Sequence, residues 1–391
     1  MMLKVVLQRM AENKASDAFI SAGAPIYFKI NGNAIPVNKQ VMEAAAIKDM
    51  VYAVLTEKQV KAFEESPDLN FSMALIGHGN FRINVFRQRG SIAMAARYIP
   101  FGIPAAKALG LPAFLNEQIM EKRGLILVVG STGAGKSTTL ASMINHRIAN
   151  HHGHVLTLED PVEYLFTHGK SIVNQRDVGL DSASYHDALR SALRQAPDCL
   201  LIGEIRDQTS MSAAINFALS GHLCVATLHA NNSYHALTRI INMFPLEGRT
   251  SLLQDLAVSL KSIIAQRLIT DSSGARVPVI EMLSNTTHIR DLIETGEVVQ
   301  IKDAMNKSLK SDLQTFDRAL QRLYEAGRID KETALSNADS PTNLSLMLSD
   351  SAAKKSPAAV ATVTATATAR PKADGAPFEG FKLIYGDAAQ A

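Results

Sequence analysis

Short apolar runs alternate with helix-length amphipathic segments between residues 112 and 243. Four runs have the length of buried strands: Leu125–Val129, His154–Leu158, Cys199–Ile202 and Leu223–Leu228. Strands that alternate with helices in this way are typical of βαβ units, in which helices cover both faces of a parallel sheet. The pattern therefore predicts an α/β fold here, with helices at Pro112–Glu121, Ser184–Arg194, Thr209–Leu219 and Ser233–Met243.

The first hundred residues have a different pattern, in which short alternating runs are separated by turns rich in Gly, Pro and Asn. This pattern favours a small α+β domain with an antiparallel sheet over residues 1–100. A single helix is predicted over about Glu43–Glu64. Residues 101–111 contain Gly102, Pro104 and Gly110, and we expect them to be an interdomain linker.

The C-terminal third divides into two parts. Residues from about Arg249 to Leu348 are predicted to be mostly helical, with a hairpin-like interruption at Asp271–Met282, and to complete a second domain over residues 112–349. From residue 350 to 391 the chain is predicted to be a disordered tail, since the Ala/Thr-rich stretch Ser351–Arg370 cannot bury a core. The tail ends in the apolar segment Gly375–Gly386, which either docks on a partner or neighbouring subunit or packs back on its own domain.

Composition narrows the class of protein only moderately. The chain is 47% hydrophobic and 20% charged, as ordinary globular proteins are, and its net charge of +3 gives no argument for a nucleic-acid partner. Cys199 and Cys224 lie inside apolar runs and are expected to be buried, reduced thiols of a cytoplasmic protein. No run reaches membrane-spanning length and no signal-peptide pattern is present, so we expect any membrane association to be peripheral.

A glycine-rich segment, GSTGAGKS, lies between the strand at Leu125–Val129 and a helix that begins at about Lys136. Glycines let backbone N–H groups approach a phosphate chain closely, because a Cβ would block the approach. Lys136 adds a positive charge for the β- and γ-phosphates, and the Ser137 hydroxyl can ligate Mg²⁺. The segment predicts a P-loop for ATP and Mg²⁺, formed by Gly130, Ser131, Thr132, Gly133, Ala134, Gly135, Lys136, Ser137 and Thr138.

Two of the later strands end in carboxylates, at the edge where open α/β sheets gather their reactive groups. ATP hydrolysis needs a group that orients the attacking water, and Glu163 is the candidate that we favour. Glu159 and Asp160 are alternatives that either fill this role or cap the following turn. Glu204 stands where an Asp is usual, and we expect it to hold the metal, partly through water.

The strand at Leu223–Leu228 has His222 before it and His229 after it. The two are too far apart along an extended strand to ligate one metal, and each alone is explained by a core or edge position. Beside a P-loop, His229 is better interpreted as a γ-phosphate sensor. Arginines must also neutralise the transition state, and the sequence does not rank the candidates, which are Arg82, Arg87, Arg89, Arg97, Arg190, Arg194, Arg206 and Arg239.

The motifs GSTGAGKST, EDPVEY, LIGEIRD and GHLCVATLHANN occur in an order and spacing that resemble the secretion-type hexameric ATPases. Within them the chain resembles the type IV pilus retraction ATPases, the PilT/PilU family, over about residues 1–348. The segments SDAFISAG and FRINVFRQRG resemble that family's PAS-like N-terminal domain. ATLHANN, LRQAPD and QTFDRALQRLYEAG point to the PilU branch, and HIRDLI at 288–293 departs from the AIRNLI of PilT proteins.

The resemblance implies a PAS-like α+β domain, a RecA-like P-loop domain and C-terminal helices. It implies that Glu163 is the catalytic glutamate and Glu204 an atypical second-motif glutamate. It also implies roles for the histidine pair and for two arginines of the N-terminal domain, namely His222, His229, Arg82 and Arg97. The expected assembly is a homo-hexamer that acts on an inner-membrane platform protein beside a PilT-type motor.

We therefore predict a cytoplasmic, Mg²⁺-dependent ATPase that powers pilus retraction from a position peripheral to the inner membrane. There are three alternatives, the first of which is another branch of the same superfamily. An extension or secretion ATPase usually carries a four-cysteine zinc motif, whereas this chain has two cysteines. A hexameric nucleic-acid translocase is disfavoured by the small net charge, and an idle structural subunit by the intact Lys136, Ser137 and Glu163.

Overall fold

The computed structural model describes residues 2–30, 32–99, 102–308 and 312–355, with the backbone alone for 350–355. The part up to Leu348 forms one compact unit that contains two sheets. The first sheet has six antiparallel strands in the order β3-β2-β1-β6-β5-β4. Its elements are α1 (Met2–Glu12), β1 (Asp17–Ile20), β2 (Tyr27–Ile30), β3 (Asn33–Pro36), α2 (Ala44–Tyr52), α3 (Glu57–Glu65), β4 (Asp68–Leu75), β5 (Gly79–Gln88) and β6 (Ser91–Ile99).

The N-terminal region is the PAS-like α+β domain that the sequence predicts. Its core packs α1, α2 and α3 against one face of the sheet around Leu7, Ile47 and Phe63. The predicted helix over Glu43–Glu64 is two helices, because Thr56 starts the second one with a capping box. The Thr56 hydroxyl accepts from the Gln59 backbone N–H (3.3 Å), and the Thr56 backbone N–H donates to Gln59 Oε1 (2.9 Å).

The second sheet has eight strands in the order β14-β13-β12-β7-β11-β10-β8-β9. Its strands are β7 (Gly124–Val129), β8 (Gly153–Glu159), β9 (Ser171–Asp177), β10 (Cys199–Ile202), β11 (Leu223–Leu228), β12 (Leu260–Thr270), β13 (Arg276–Ser284) and β14 (Leu313–Gln314). The helices are α4 (Ala113–Gln118), α5 (Lys136–Asn150), α6 (Tyr185–Ala192), α7 (Gln208–Leu219), α8 (Ser233–Asn242), α9 (Arg249–Ser259), α10 (Thr287–Glu294), α11 (Ile301–Lys307), α12 (Phe316–Glu325), α13 (Lys331–Ser336) and α14 (Pro341–Lys355).

Six of these strands, from β12 through β9 in sheet order, run parallel, and β13 and β14 extend the sheet with antiparallel pairs. Helices cover both faces, so all six residues of β7 are buried between two apolar clusters. This is the RecA-like arrangement of the predicted fold. It brings the C-terminal ends of β7, β8, β10 and β11 to one edge of the sheet.

Two parts of this region differ from the expectation. The segment Leu260–Thr270, predicted to be helical, is the strand β12, and β9 was not predicted at all. A short apolar run such as SIIAQRLI does not by itself distinguish a strand from a buried helix. In the structure this run pairs with β7 as a parallel strand. The hairpin of β12 and β13 therefore belongs to the central sheet.

The ends of the predicted segments also lie differently. Residues 102–111 contain no helix or strand, whereas the first residue of the predicted linker, Phe101, lies outside the described residues. Helix α14 continues to Lys355, so it overlaps the start of the predicted tail. Residues 356–391, with the apolar segment Gly375–Gly386, lie outside the described residues.

Cys199 and Cys224 are buried in β10 and β11, as predicted. Burial raises the pKa of the Cys199 thiol to about 11, because an apolar surrounding disfavours the thiolate. Across the described ranges, no helix is both long and apolar enough to cross a membrane.

A buried carboxyl lies between the central sheet and α8. Glu281, on β13, is 4% exposed, and one of its oxygens accepts from the Ser233 backbone N–H (2.8 Å) and the Ser233 hydroxyl (2.6 Å). Burial raises the pKa of Glu281 above its ordinary value of 4.5, and the nearby Asp339 acts in the same direction. Folding therefore makes this side chain hold its proton more tightly than the unfolded chain does.

The sign of this shift gives a prediction for stability. The folded state holds the Glu281 proton more tightly than the unfolded state, so the wild-type chain loses stability as pH rises from 4.5 towards the raised pKa. Glu281→Gln keeps an oxygen for Ser233 but has no charge to bury, so its stability relative to wild type should increase with pH. Thermal unfolding between pH 4.5 and 8 measures this difference, and parallel curves for the two proteins would contradict it.

Candidate nucleotide-binding site

The P-loop leaves the C-terminal end of β7 and enters α5. Gly133 and Gly135 have φ angles of +78° and +85°, which residues with a Cβ rarely adopt, so both glycines are required by the turn. Lys136, 9% exposed, donates from Nζ to the carbonyl oxygens of Gly130 and Ser131, both at 2.9 Å. Its ammonium group is thus held over the opening of the loop, where phosphates would lie.

The sequence did not identify Gln266, which supports the loop from β12. Its Nε2 donates to the Ala134 carbonyl (2.7 Å), and its Oε1 accepts from the Thr139 hydroxyl (2.7 Å). A Cβ built on Gly130 would lie 2.5 Å from the backbone oxygen of Gln266, so this glycine is needed for the close approach of β12. The polar Gln266 inside the apolar run IIAQRLI could have indicated this role. Because a helix was predicted there, its side chain had no evident partner.

The predicted catalytic loop follows β8. Glu159 is 8% exposed, and its carboxyl accepts from the Thr157 hydroxyl (2.7 Å) and the Glu163 backbone N–H (3.3 Å). Burial raises the pKa of Glu159, which these hydrogen bonds oppose. Glu163, in contrast, is exposed and lines the cavity beside the P-loop. Glu159 therefore holds the loop, whereas Glu163 has its carboxylate available.

Glu204 is the centre of a charged group at the end of β10. Its Oε1 lies 3.0 Å from His229 Nε2, and its Oε2 lies 2.9 Å from Arg206 Nε. Arg206 also reaches Asp160 at 3.3 Å. Tyr185, from α6, fixes the backbone here, since its hydroxyl donates to the Leu158 carbonyl (2.8 Å) and accepts from the Glu204 N–H (3.3 Å).

These groups line one cavity of about 220 Å³ at the sheet edge. It is lined by P-loop residues and by the strand-end carboxylates and histidine, among them Thr132, Gly133, Lys136, Ser137, Glu163, Glu204, Arg206 and His229. Burial lowers the pKa of Lys136, and the charges of Glu204 and Glu163 act in the opposite direction. The cavity thus combines a phosphate-binding cation with candidate carboxylates for water and metal.

A second cavity lies at the same loop and is lined by Gly135, Thr138, Thr139 and Gln266 from the P-loop side. Its remaining wall is largely apolar and carries two arginines, with Leu109, Leu111, Leu268, Val277, Pro278, Arg276 and Arg328 among its residues. Arg276 donates to the Gly133 carbonyl (3.3 Å). The P-loop therefore separates a polar cavity from a more apolar one.

Of the residues to which the resemblance assigns a catalytic role, three do not line the polar cavity. His222 precedes β11, at the opposite end of that strand from His229, where it lies 3.0 Å from the Ser220 hydroxyl and packs against Phe217. A six-residue strand separates the two histidines by about 20 Å. The other two, Arg82 and Arg97, are cross-strand partners on β5 and β6.

The two arginines have different surroundings. Arg97 pairs with Asp17 at 2.9 Å and is otherwise 70% exposed. Arg82 lies near enough to Asp177, at the end of β9, to oppose the rise in the pKa of that carboxyl that burial causes. Asp177 in turn accepts from the Val162 N–H (3.2 Å) in the predicted catalytic loop. The roles that the resemblance implies for His222, Arg82 and Arg97 remain predictions.

Fold and site together define a P-loop ATPase with a RecA-like core and an N-terminal PAS-like domain. Residues 108–275 match the family described as Type II/IV secretion system protein. The chain is 44% identical over 344 residues to PilU, a type IV pilus ATPase of Pseudomonas aeruginosa, covering 88% of this chain and 90% of the relative. It is 36% identical over 333 residues to PilT, the type IV pilus retraction ATPase of the same organism, covering 85% and 97%.

Solved structures give the same assignment. The crystal structure of the pilus retraction motor PilT with bound ADP matches with a TM-score of 0.82 and 40% identity, covering 88% of this chain and 98% of that one. The ATPase DotB of Legionella pneumophila matches with a TM-score of 0.70 and 25% identity, covering 85% and 94%. The chain belongs to the PilT/PilU family of type IV pilus ATPases, as its motifs predicted.

Replacing Gln266 tests its support of the P-loop. Gln266→Leu leaves the Ala134 carbonyl and the Thr139 hydroxyl without these partners, so it should lower the free energy of unfolding by about 1–3 kcal/mol and weaken ADP binding. Urea unfolding and ADP titration measure both effects. The control is Gln300→Leu, since Gln300 is exposed and bonds only to Glu297 among the contacts described. Wild-type values for the Gln266 variant would contradict the assigned support.

Proposed function

We propose that this chain is a Mg²⁺-dependent ATPase and a subunit of a homo-hexameric motor that powers type IV pilus retraction. It works in the cytoplasm at the pilus base, beside a PilT-type motor, and acts on an inner-membrane platform protein. The observation that carries the proposal is that Lys136, Glu163, Glu204 and His229 line one cavity at the P-loop. The relative PilU is named a type IV pilus ATPase, and PilT is named for pilus retraction. These names support retraction as the movement that the motor powers.

The chemistry follows from these positions. When ATP binds, its phosphates replace the Gly130 and Ser131 carbonyls as partners of Lys136, and the ammonium then opposes the negative charge that grows on the γ-phosphoryl group. Glu163, exposed to the cavity, orients the attacking water and accepts its proton. His229, held by Glu204, reports on the γ-phosphate from the end of β11.

The donors at the cavity fit Mg²⁺, which prefers oxygen ligands and keeps several waters. Bound there with ATP, the ion would supply positive charge against the negative charge of the phosphates. Ser137, which lines the cavity, would ligate it directly. Both oxygens of Glu204 contact the side chains of Arg206 and His229, so Glu204 would hold the ion through water. Among the described residues no group of three or more His, Cys, Asp or Glu could hold a metal ion.

The second cavity is a suitable place for the base and ribose. Its apolar wall, with Leu109, Leu111 and Leu268, can cover an aromatic ring, and it adjoins the P-loop at Gly135 and Thr138. The linker contributes to this wall, so nucleotide binding and release would change the contacts of residues 102–111. We propose that this segment is the hinge on which the domains move, and that Arg82 and Arg97 then meet the phosphates.

Steady-state ATP hydrolysis tests the proposal. The purified full-length chain should hydrolyse ATP with Mg²⁺, and Glu163→Gln should reduce kcat by about 100-fold or more, because a positioned base typically contributes that much. Asp160→Asn tests the other exposed carboxylate that lines the cavity as the alternative to Glu163. Glu117→Gln, on the exposed side of α4, is a control that should behave as wild type.

Mixing with a PilT-type protein separates the remaining possibilities. Hydrolysis that needs the PilT-type protein but still depends on Glu163 identifies an auxiliary motor. No hydrolysis in any mixture supports the structural-subunit alternative and contradicts the proposal. Activation of wild-type hydrolysis by single-stranded DNA supports the translocase alternative.

A further inference from the structure

The loop that carries Glu163 is fastened mainly by side chains. Residues 160–170 form neither helix nor strand, and the loop starts with a cis peptide bond between Asp160 and Pro161. Three of its backbone N–H groups donate to side-chain oxygens of the flanking strands. Val162 donates to Asp177 (3.2 Å), Glu163 to Glu159 (3.3 Å) and Phe166 to Gln175 (2.8 Å). The position of Glu163 therefore depends on residues of β8 and β9.

Gln175 makes three of the contacts around this loop. Its Oε1 accepts from the Phe166 N–H, while its Nε2 donates to the Tyr164 carbonyl (2.7 Å) and to Glu159 Oε1 (3.3 Å). It thus fixes the backbone on the C-terminal side of Glu163. Through Glu159 it also bears on the carboxyl group that accepts the N–H of Glu163 itself.

We propose that Gln175 is a positioning residue for ATP hydrolysis, which holds the loop so that Glu163 faces the nucleotide cavity. The inference rests on the proposed function, since it assigns Gln175 a role only through Glu163. No other side chain of similar size supplies one strong acceptor and two donors, because Glu lacks the donors, Met has only a weak acceptor, and Asn is a methylene shorter.

A second contact fixes the same loop to the P-loop helix. The Tyr164 hydroxyl lies 2.7 Å from the Thr138 hydroxyl, at the start of α5. Gln175 holds the Tyr164 backbone and Thr138 holds its ring, so the residue next to Glu163 spans from β9 to α5. These two contacts of Tyr164 thereby fix the distance between the Glu163 carboxylate and the P-loop. If either contact is lost, this distance can vary.

The neighbouring residue on β9 provides a matched control. Asn174 and Gln175 carry the same amide group on opposite faces of the strand. Asn174 is exposed and lies 3.0 Å from His154 Nε2, away from the loop. A general destabilisation of β9 would follow from replacing either residue, but a positioning effect on Glu163 would follow from replacing Gln175 alone.

The experiment compares Gln175→Met and Asn174→Leu, each in the wild-type and the Glu163→Gln background. Rates come from single-turnover hydrolysis of radiolabelled ATP, with ADP affinity and thermal unfolding measured on the same preparations. We expect Gln175→Met to reduce the single-turnover rate constant about tenfold or more, since small displacements of a catalytic group have large effects on rate. ADP affinity should stay within about twofold, and Asn174→Leu should have the wild-type single-turnover rate constant.

The double mutant decides the route of the effect. If Gln175 acts through Glu163, Gln175→Met should change the residual rate of Glu163→Gln by less than about twofold. An equal loss in both backgrounds, or a wild-type rate for Gln175→Met, overturns the inference. If Gln175→Met does not fold, Gln175→Glu is judged by the same criteria, because it keeps the size and the acceptor for Phe166 but not the donors.

Failure of the inference and failure of the proposed function look different. A Glu163→Gln variant that hydrolyses ATP at the wild-type rate contradicts the function proposed for the site. An inactive Glu163→Gln variant beside fully active Gln175 variants contradicts only the role of Gln175.

Discussion

The parallel pairing of β7 with β11 and β12 is the constraint on which the site depends. In register, Val129 lies beside Leu228 and Ala265, so the P-loop starts level with His229 and with the part of β12 that carries Gln266. β10 and β8 continue the same alignment, which places Glu204 and the Glu163 loop at the same edge. Because parallel strands end together, four separate stretches of sequence deliver their polar groups to one cavity.

Partners within the protein hold the charged groups of this cavity in place. Lys136 is held by two backbone carbonyls, and Glu204 is held between His229 and Arg206. Burial lowers the pKa of Lys136, while the neighbouring carboxylates favour its charged form. Such preorganised groups can stabilise growing phosphoryl charge without first rearranging solvent, which is the main way that phosphoryl-transfer sites accelerate reactions.

Local sequence was sufficient for features that depend on neighbouring residues. The P-loop glycines, the strands at Cys199–Ile202 and Leu223–Leu228 and the buried cysteines follow from short patterns, and the structure agrees. Features that depend on distant partners were missed. β12 is paired with both β7 and β13, and the fold brings the side chains of Gln266 and Gln175 to loop residues 132 and 9 positions away.

A structure of the full-length chain with Mg²⁺ and a non-hydrolysable ATP analogue tests most directly whether the P-loop cavity binds ATP for hydrolysis. In that structure Lys136 Nζ should leave the carbonyls of Gly130 and Ser131 for oxygens of the β- and γ-phosphates. Glu163 should also lie within reach of a water in line with the γ-phosphate. Phosphates bound away from the P-loop, with Lys136 still bonded to both carbonyls, would contradict the account.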